Sequence, residues 1–171
     1  MRERSVPRVP ASAAAKIDLE RLKGLKAAML EGKQFYWADQ ADIQMKAVNA
    51  WITRAAGKKQ DALRLIREAA DHEDGTEKSA VTPGPIIPAR EQLADMLMGL
   101  KQPRAALAEF EKAIEKEPNR LRSLFGAARA AEAVNDTEKA KIYYRQLLAI
   151  ADHPQGTHAE VKHATMYLAR R

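Results

Sequence analysis

The stretch LADMLMGLKQPRAALAEFEKAIEKEPNRLRSLFGAARAAEAVNDTEKAKIYY, residues 93 to 144, sits inside one helix pair written twice. A shift of 34 residues brings similar side chains into register: Ile87 meets Leu121, Ala94 meets Ala128, Leu100 meets Val134, Ala106 meets Ala140, Phe110 meets Tyr144 and Ile114 meets Leu148. A unit of that length holds two short helices, and neither buries its apolar face alone, so the units are stable only when stacked on one another. Alanine is abundant and only 5% of residues are aromatic. Both features suit helices packed closely through small side chains, and the fold class read from them is all-α.

Leu93, Ala94 and Leu97, then Ala106-x3-Phe110, then Pro118 resemble the tetratricopeptide repeat, whose pattern runs Trp-x2-Leu-Gly-x2-Tyr, Ala-x3-Phe, Pro. The second copy departs from it in Leu124 where tryptophan is common, Ala131 where tyrosine is, and Asp152 in place of the proline. The resemblance implies a solenoid of about eight antiparallel helices forming a right-handed arc. In that family the leading helices line a concave groove that takes extended or helical peptides. Carried over by position, the groove residues are Gln44, Ala47, Trp51 and Arg54, then Glu91, Asp95 and Met98, then Arg122, Phe125, Arg129 and Glu132. Trp51 and Phe125 offer flat apolar anchors, and Arg54, Arg122 and Arg129 carry forks that suit a carboxylate. Members that grip chaperone tails use lysines, asparagines and an arginine at set positions. Here those positions hold Ala47, Trp51, Gln92, Arg122 and Gly126, so chaperone tails are not expected to bind. The run EDGTEKSAVTPGPIIPARE with its flanks is also similar to the C-terminal part of longer bacterial repeat proteins of unassigned function.

Outward from the repeats, residues 1–11 hold Pro7 and Pro10 among charges and are expected to form a disordered basic tail. The remainder, 12–171, reads as a single tetratricopeptide-like helical domain. Ser12 can cap a first helix ending near Gly32, on which Ile17, Leu22, Leu25 and Met29 draw an apolar stripe. Repeat pairs are expected at about 35–71, 87–118 and 121–152, the first on the weaker ground of Ala62-x3-Ile66 and Ala69. The spacing from Ala62 to Ala106 is 44 residues, ten more than one repeat, and the surplus falls in an inserted loop, 72–87, rich in proline and glycine. A last helix at 157–170, with Val161, Ala164 and Leu168 on one side, suits a terminal cap.

Charge and chemistry narrow the function. Net charge is +6, with 8 basic against 4 acidic side chains in residues 1–33, 12 against 14 in 34–118, and 9 against 5 in 119–171. That excess sits at the two ends without aromatic interleaving, which disfavours nucleic acid as the partner. No window approaches the roughly 18 apolar residues of a membrane span and no secretory apolar run is present, so no membrane association is expected and the cytoplasm is the default location. The chain has no cysteine, which removes thiol chemistry and thiolate metal sites. It also lacks GxSxG, GxxxxGK[ST] and HExxH. His72, Glu73 and Asp74 are the one cluster of metal-ligand type, and three adjacent residues at a helix end do not converge on one ion unaided. His153, His158 and His163 read as surface residues, and Glu109, Glu111, Glu115 and Glu117 as a solvated face paired with Lys112 and Lys116.

These readings lead to a non-enzymatic module, without cofactor or metal, that binds a protein or peptide segment. Its expected site is Trp51, Arg54, Glu91, Asp95, Met98, Arg122, Phe125 and Arg129. Two alternatives stand beside it. One is a self-associating scaffold, a homo-oligomer formed through the apolar face of the first helix. The other is a metal-dependent enzyme built on residues 72–74.

Overall fold

The computed structural model describes residues 11–77, 85–151 and 158–169. Among the described residues there are eight α-helices and no strand: α1 Ala11–Glu31, α2 Phe35–Ala55, α3 Lys59–Gly75, α4 Ala89–Gly99, α5 Pro103–Lys116, α6 Leu121–Ala133, α7 Thr137–Ile150 and α8 Ala159–Ala169. This is a tetratricopeptide-like helical repeat fold. The expected tail, 1–11, lies outside the described residues except for Ala11, which already belongs to α1. The loop expected from residue 72 begins later, because α3 runs on to Gly75, and residues 78–84 lie outside the description. Contacts divide the chain into two compact units, Met1–Glu73 and Asp74–Arg171.

In the first unit, α1 and α2 are 21 residues each and fold back on one another across a three-residue turn. Among the described side chains of α1 Leu19 is the buried one, and Leu22 and Met29 are half-buried. Ile17 and Leu25, expected on the same stripe, are 54% and 53% exposed. Positions 17 and 25 lie about 80° apart on the opposite side of the helix from Leu19, and one straight partner cannot cover both sides. Asp42 of α2 bonds Lys26 of α1 and, at 3.0 Å, Lys46 of its own helix. The Lys26 hydrogen bond, aided by Lys46 and opposed by partial burial, holds the Asp42 carboxyl below its ordinary range. Ala38, Ala41, Ile43, Ala47 and Ala50 of α2 are buried, as are Ala62, Leu63, Ile66, Ala69 and Ala70 of α3. The alanines keep such a core thin, since a methyl group is all that separates one backbone from the next.

The second unit holds the two copies of the 34-residue motif. Leu93, Ala94, Met96 and Leu97 of α4 are buried, with Ala106, Leu107, Phe110 and Ala113 of α5. The matched positions Ala127, Ala128, Ala130 and Ala131 of α6, and Ala140, Tyr144 and Leu147 of α7, are buried in turn. Gly126 has a reason of its own. A Cβ there would stand 2.3 Å from the Phe110 ring tip, so the first copy's large ring lies directly against the backbone of the second copy's leading helix. Arg90, where the family pattern favours tryptophan, is also buried. Its Nε donates to Asp74 Oδ2 at 2.5 Å and its Nη1 to Glu109 Oε2 at 2.6 Å, which supplies the partners a buried guanidinium needs.

The period also appears in the backbone. After α4, Lys101 takes φ +60 and the Gln102 N–H reaches back to the Leu97 carbonyl at 3.0 Å. After α6, 34 residues on, Asn135 takes φ +60 and the Asp136 N–H reaches Ala131 at 2.9 Å. This left-handed residue followed by a six-to-one bond satisfies the carbonyls a helix leaves unpaired at its end. The same closure follows α1 at Lys33 and α2 at Gly57, so all four of these turns are built alike. Pro103 opens α5, where a missing N–H costs nothing, and the Asp136 carboxylate caps α7 by accepting the Lys139 N–H at 3.0 Å.

Candidate functional site

The expected site residues fall in both units. Trp51 and Arg54 lie one helical turn apart on α2 of the first unit. Trp51 is partly exposed, and the Arg54 guanidinium sits 5.7 Å from its ring centroid, within the range of a cation–π contact. Of their expected companions, Ala47 is buried in the core and Gln44 is half-buried.

The other six residues belong to α4 and α6 of the second unit, and the structure brings most of them together. Arg122 donates from Nη2 to Asp95 Oδ2 at 2.5 Å, joining the two leading helices. That bond, strengthened by the charges of Asp95, Glu91 and Glu160 and opposed by burial, pushes the Arg122 pKa up. The fork expected to receive an outside carboxylate is thus already holding one from its own chain. Met98 is half-buried on the last turn of α4.

Glu91 departs most from expectation. It is 0% exposed, so it cannot face a peptide as the position implies. Its carboxylate accepts from Ser123 Oγ at 3.1 Å and from Arg120 Nη2 at 3.2 Å, with the Arg122 Nε 3.9 Å away. Burial raises its pKa above the ordinary 4.5, and Arg120, Ser123 and Arg122 hold the rise in check. Arg120 also donates to the Ile86 carbonyl at 2.8 Å, and Gln92 Nε2 to the Ile87 carbonyl at 3.1 Å. The described end of the inserted loop is therefore fastened to the same polar knot.

Phe125 and Arg129 stand at the open side of α6. Phe125 is half-buried, and the exposed Arg129 places its guanidinium 5.8 Å from the Phe125 ring centroid. Among the described residues Arg129 has no carboxylate partner, which separates it from Arg122. The Phe125 ring also meets Tyr144 at 6.3 Å and, edge to face, His163 of α8 at 5.7 Å. Glu132 faces this group: the Tyr144 hydroxyl donates to it, and His163 Nε2 lies 3.1 Å from the same oxygen. Burial, then the Glu132 hydrogen bond, pushes the Tyr144 hydroxyl well above its usual range. His163, read from sequence as a surface residue, is instead part of an aromatic cluster that docks α8. Its place five residues after His158 gave no hint of this, because the rings it meets, Phe125 and Tyr144, stand on two other helices.

The remaining carboxylates and histidines are drawn into structure. His72 Nε2 lies 2.8 Å from Asp39 and its Nδ1 2.9 Å from Lys46 Nζ. Asp74, two residues on, takes Arg90 and Lys116 instead, so members of the 72–74 cluster face different partners. Among the described residues no group of three ligating side chains could hold a metal. On α5, Glu109 is nearly buried by Arg90, while Glu111 accepts from Lys139 at 2.6 Å and from the Tyr143 hydroxyl at 2.8 Å. Of the face expected to be solvated, Glu109 and Glu111 lie in a seam between helices, while Glu115 and Lys112 are exposed. No described helix is long and apolar enough to cross a membrane.

Comparison with known proteins agrees with this geometry. The sequence profile of the tetratricopeptide repeat matches residues 87–120 and 121–153. No curated protein matches the sequence. Among solved structures, the crystal structure of PcrH from Pseudomonas aeruginosa is similar in fold, with a TM-score of 0.56 at 16% identity over 74% of this chain and 89% of that one. Residues 87–153 are two tandem tetratricopeptide repeats.

Proposed function

We propose that this chain is a non-enzymatic interaction module that binds a protein or peptide segment along α4 and α6 of its second unit. One observation carries the reading. Phe125 and Arg129 form a half-exposed aromatic and cationic pair whose guanidinium holds no carboxylate among the described residues, while Arg122, Asp95 and Glu91 nearby already hold partners from the chain itself. An apolar side chain from a partner would lie on the Phe125 ring and a carboxylate would reach Arg129, the combination by which aromatic and arginine residues dominate interfaces. Met98 extends the apolar floor. Asp95 and Arg122 hold the two helices in register, and Glu91 supports them from beneath. Trp51 and Arg54 repeat the same aromatic and cationic chemistry on the first unit.

The test is a crosslinking pull-down from the native cell with the parent chain and with Phe125→Ala plus Arg129→Ala, followed by titration of the purified hit. A single protein recovered by the parent, and bound at least about tenfold more weakly by the variant, supports the reading. Equal recovery by a folded variant removes α6 from the interface. Recovery of only the chain itself by both proteins turns the reading to a self-associating scaffold.

A further inference from the structure

One face of α2 carries no charge from its first turn to its last. Trp37, Gln44, Val48, Trp51 and Ala55 fall within about 60° of arc at the helical turn of about 100° per residue. Trp37 is 44% and Trp51 36% exposed, Ala55 is exposed, and Gln44 and Val48 are half-buried. With Ala41 at the edge of the strip, the positions run 37, 41, 44, 48, 51 and 55, in alternating steps of four and three. That is the spacing at which one helix lays a seam against another. The charged side chains Asp39, Asp42 and Lys46 fall on the opposite side, where Lys26 and His72 hold them. Arg54 lies at the flank, over the Trp51 ring. The neighbouring α1, whose apolar residues divide between two sides, offers no such strip.

We propose that this strip pairs with the same strip of a second copy, α2 against α2 in antiparallel order. The sizes of the side chains choose that occupant. Turned end for end about position 46, the strip sets Trp37 against Ala55, Gln44 against Val48 and Trp51 against Ala41, and the two-fold axis repeats each match. Every indole then meets a methyl group, as interdigitating layers require. A parallel pair would instead set Trp37 on Trp37 and Trp51 on Trp51. Charge agrees with the antiparallel order. The first turn of α2 has no acidic residue and no side-chain cap, and this order sets that positive helix end beside the negative end of the second copy. Exposed Glu31 and Lys33 precede α2, and exposed Lys58, Lys59 and Asp61 follow it, so both signs meet both signs at each end of the seam. Area sets the strength. Covering two indoles on each copy removes about 400 Å², and the whole strips about 800 Å², short of the roughly 1,200 Å² of a stable interface. The dimer is therefore weak, with a dissociation constant of about 10–100 µM.

The experiment is sedimentation equilibrium of the full chain from about 1 to about 300 µM, beside Ala55→Glu, Trp37→Lys and an equimolar mixture of the two variants. Both positions are exposed, so the variants keep their helices, and circular dichroism verifies that. The parent is expected to pass from monomer to dimer over that range, and each variant alone to dimerise at least about tenfold more weakly. The mixture is expected to recover, because an Ala55→Glu copy meets a Trp37→Lys copy through one layer of opposite charge and one native layer. Three results overturn the proposal: a parent that stays monomeric at about 300 µM, an Ala55→Glu variant that pairs like the parent, or a mixture no more associated than its components. The first would leave the strip to the helix of another protein, and the last would remove the antiparallel register.

Discussion

The two repeats place different residues at matched positions of their leading helices, and the difference shows what a neighbour does to a repeat. Glu91 of the first corresponds to Phe125 of the second, Asp95 to Arg129, and Met98 to Glu132. The first set is covered by α6, which brings Ser123 and Arg122 against it, with Arg120 just ahead of the helix, so its carboxylates become internal joints. Beyond Tyr144 of its own pair, the second set meets α8, whose His163 takes Glu132 and one edge of Phe125 and leaves Arg129 to solvent. Position in the repeat therefore does not decide accessibility. The next helix to pack against it does.

The strongest way to break this comparison is to exchange the rings that the two copies share. Phe110→Tyr adds a hydroxyl at the ring tip that already lies against Gly126, and Gly126→Ala drives a methyl into the same tip. Each is expected to destabilise the second unit by about 1–3 kcal/mol, measured by urea denaturation. If the two changes together cost no more than either alone, the ring and the glycine act as one contact.

Glu91 sharpens the comparison through pH. Because its carboxyl titrates above 4.5 when folded, the folded state binds the proton more tightly than the unfolded chain. Its contribution is therefore fully present below that value and is lost as pH rises through the raised pKa. Glu91→Gln does not titrate, so the stability of the parent relative to this variant should fall as pH rises from the ordinary carboxylate value of 4.5 through the raised pKa of Glu91. Denaturation of both proteins across that range checks the sign. A difference that grows with pH would mean that Arg120 and Arg122 outweigh burial.

Tyr144→Phe removes the hydroxyl that Phe110 never had and breaks its bond to Glu132, while His163 remains. The expected loss is about 1 kcal/mol, with α8 amides exchanging faster than those of α4 and α5 in hydrogen exchange. The smallest effect is at the turns. Lys101→Gly relieves a left-handed lysine and should raise stability by about 0.5–1 kcal/mol, whereas Asn135→Gly gains less because asparagine tolerates that conformation.

Much of the fold was legible because a 34-residue period repeats its small and large residues where helices touch. The element order and the buried Ala106, Phe110, Ala140 and Tyr144 all follow from it. The left-handed lysines at 33 and 101 were not legible, since lysine carries no mark of that conformation. On α1, apolar residues occur on two sides of the helix, so periodicity alone selected Ile17 and Leu25 as readily as Leu19. The candidate site was legible as positions and not as surfaces. Nothing in the isolated sequence says that Ser123 and Arg120 will close over Glu91, or that His163 will fold onto Phe125, because both depend on the next helix in the stack.

The ring of Phe110 resting on Gly126 gives the chain a fixed order of assembly. Position 126 corresponds to Gln92 one repeat earlier. A gene duplication that copied residues 87–120 in tandem would set a glutamine side chain where the glycine now lies, and the ring would have nowhere to go. The first repeat of the pair can thus be succeeded by the second but not by itself. Growth of this array by copying its first repeat is opposed at a single carbon atom, whereas a copy of the second would bring its own glycine to face Tyr144, the ring that matches Phe110.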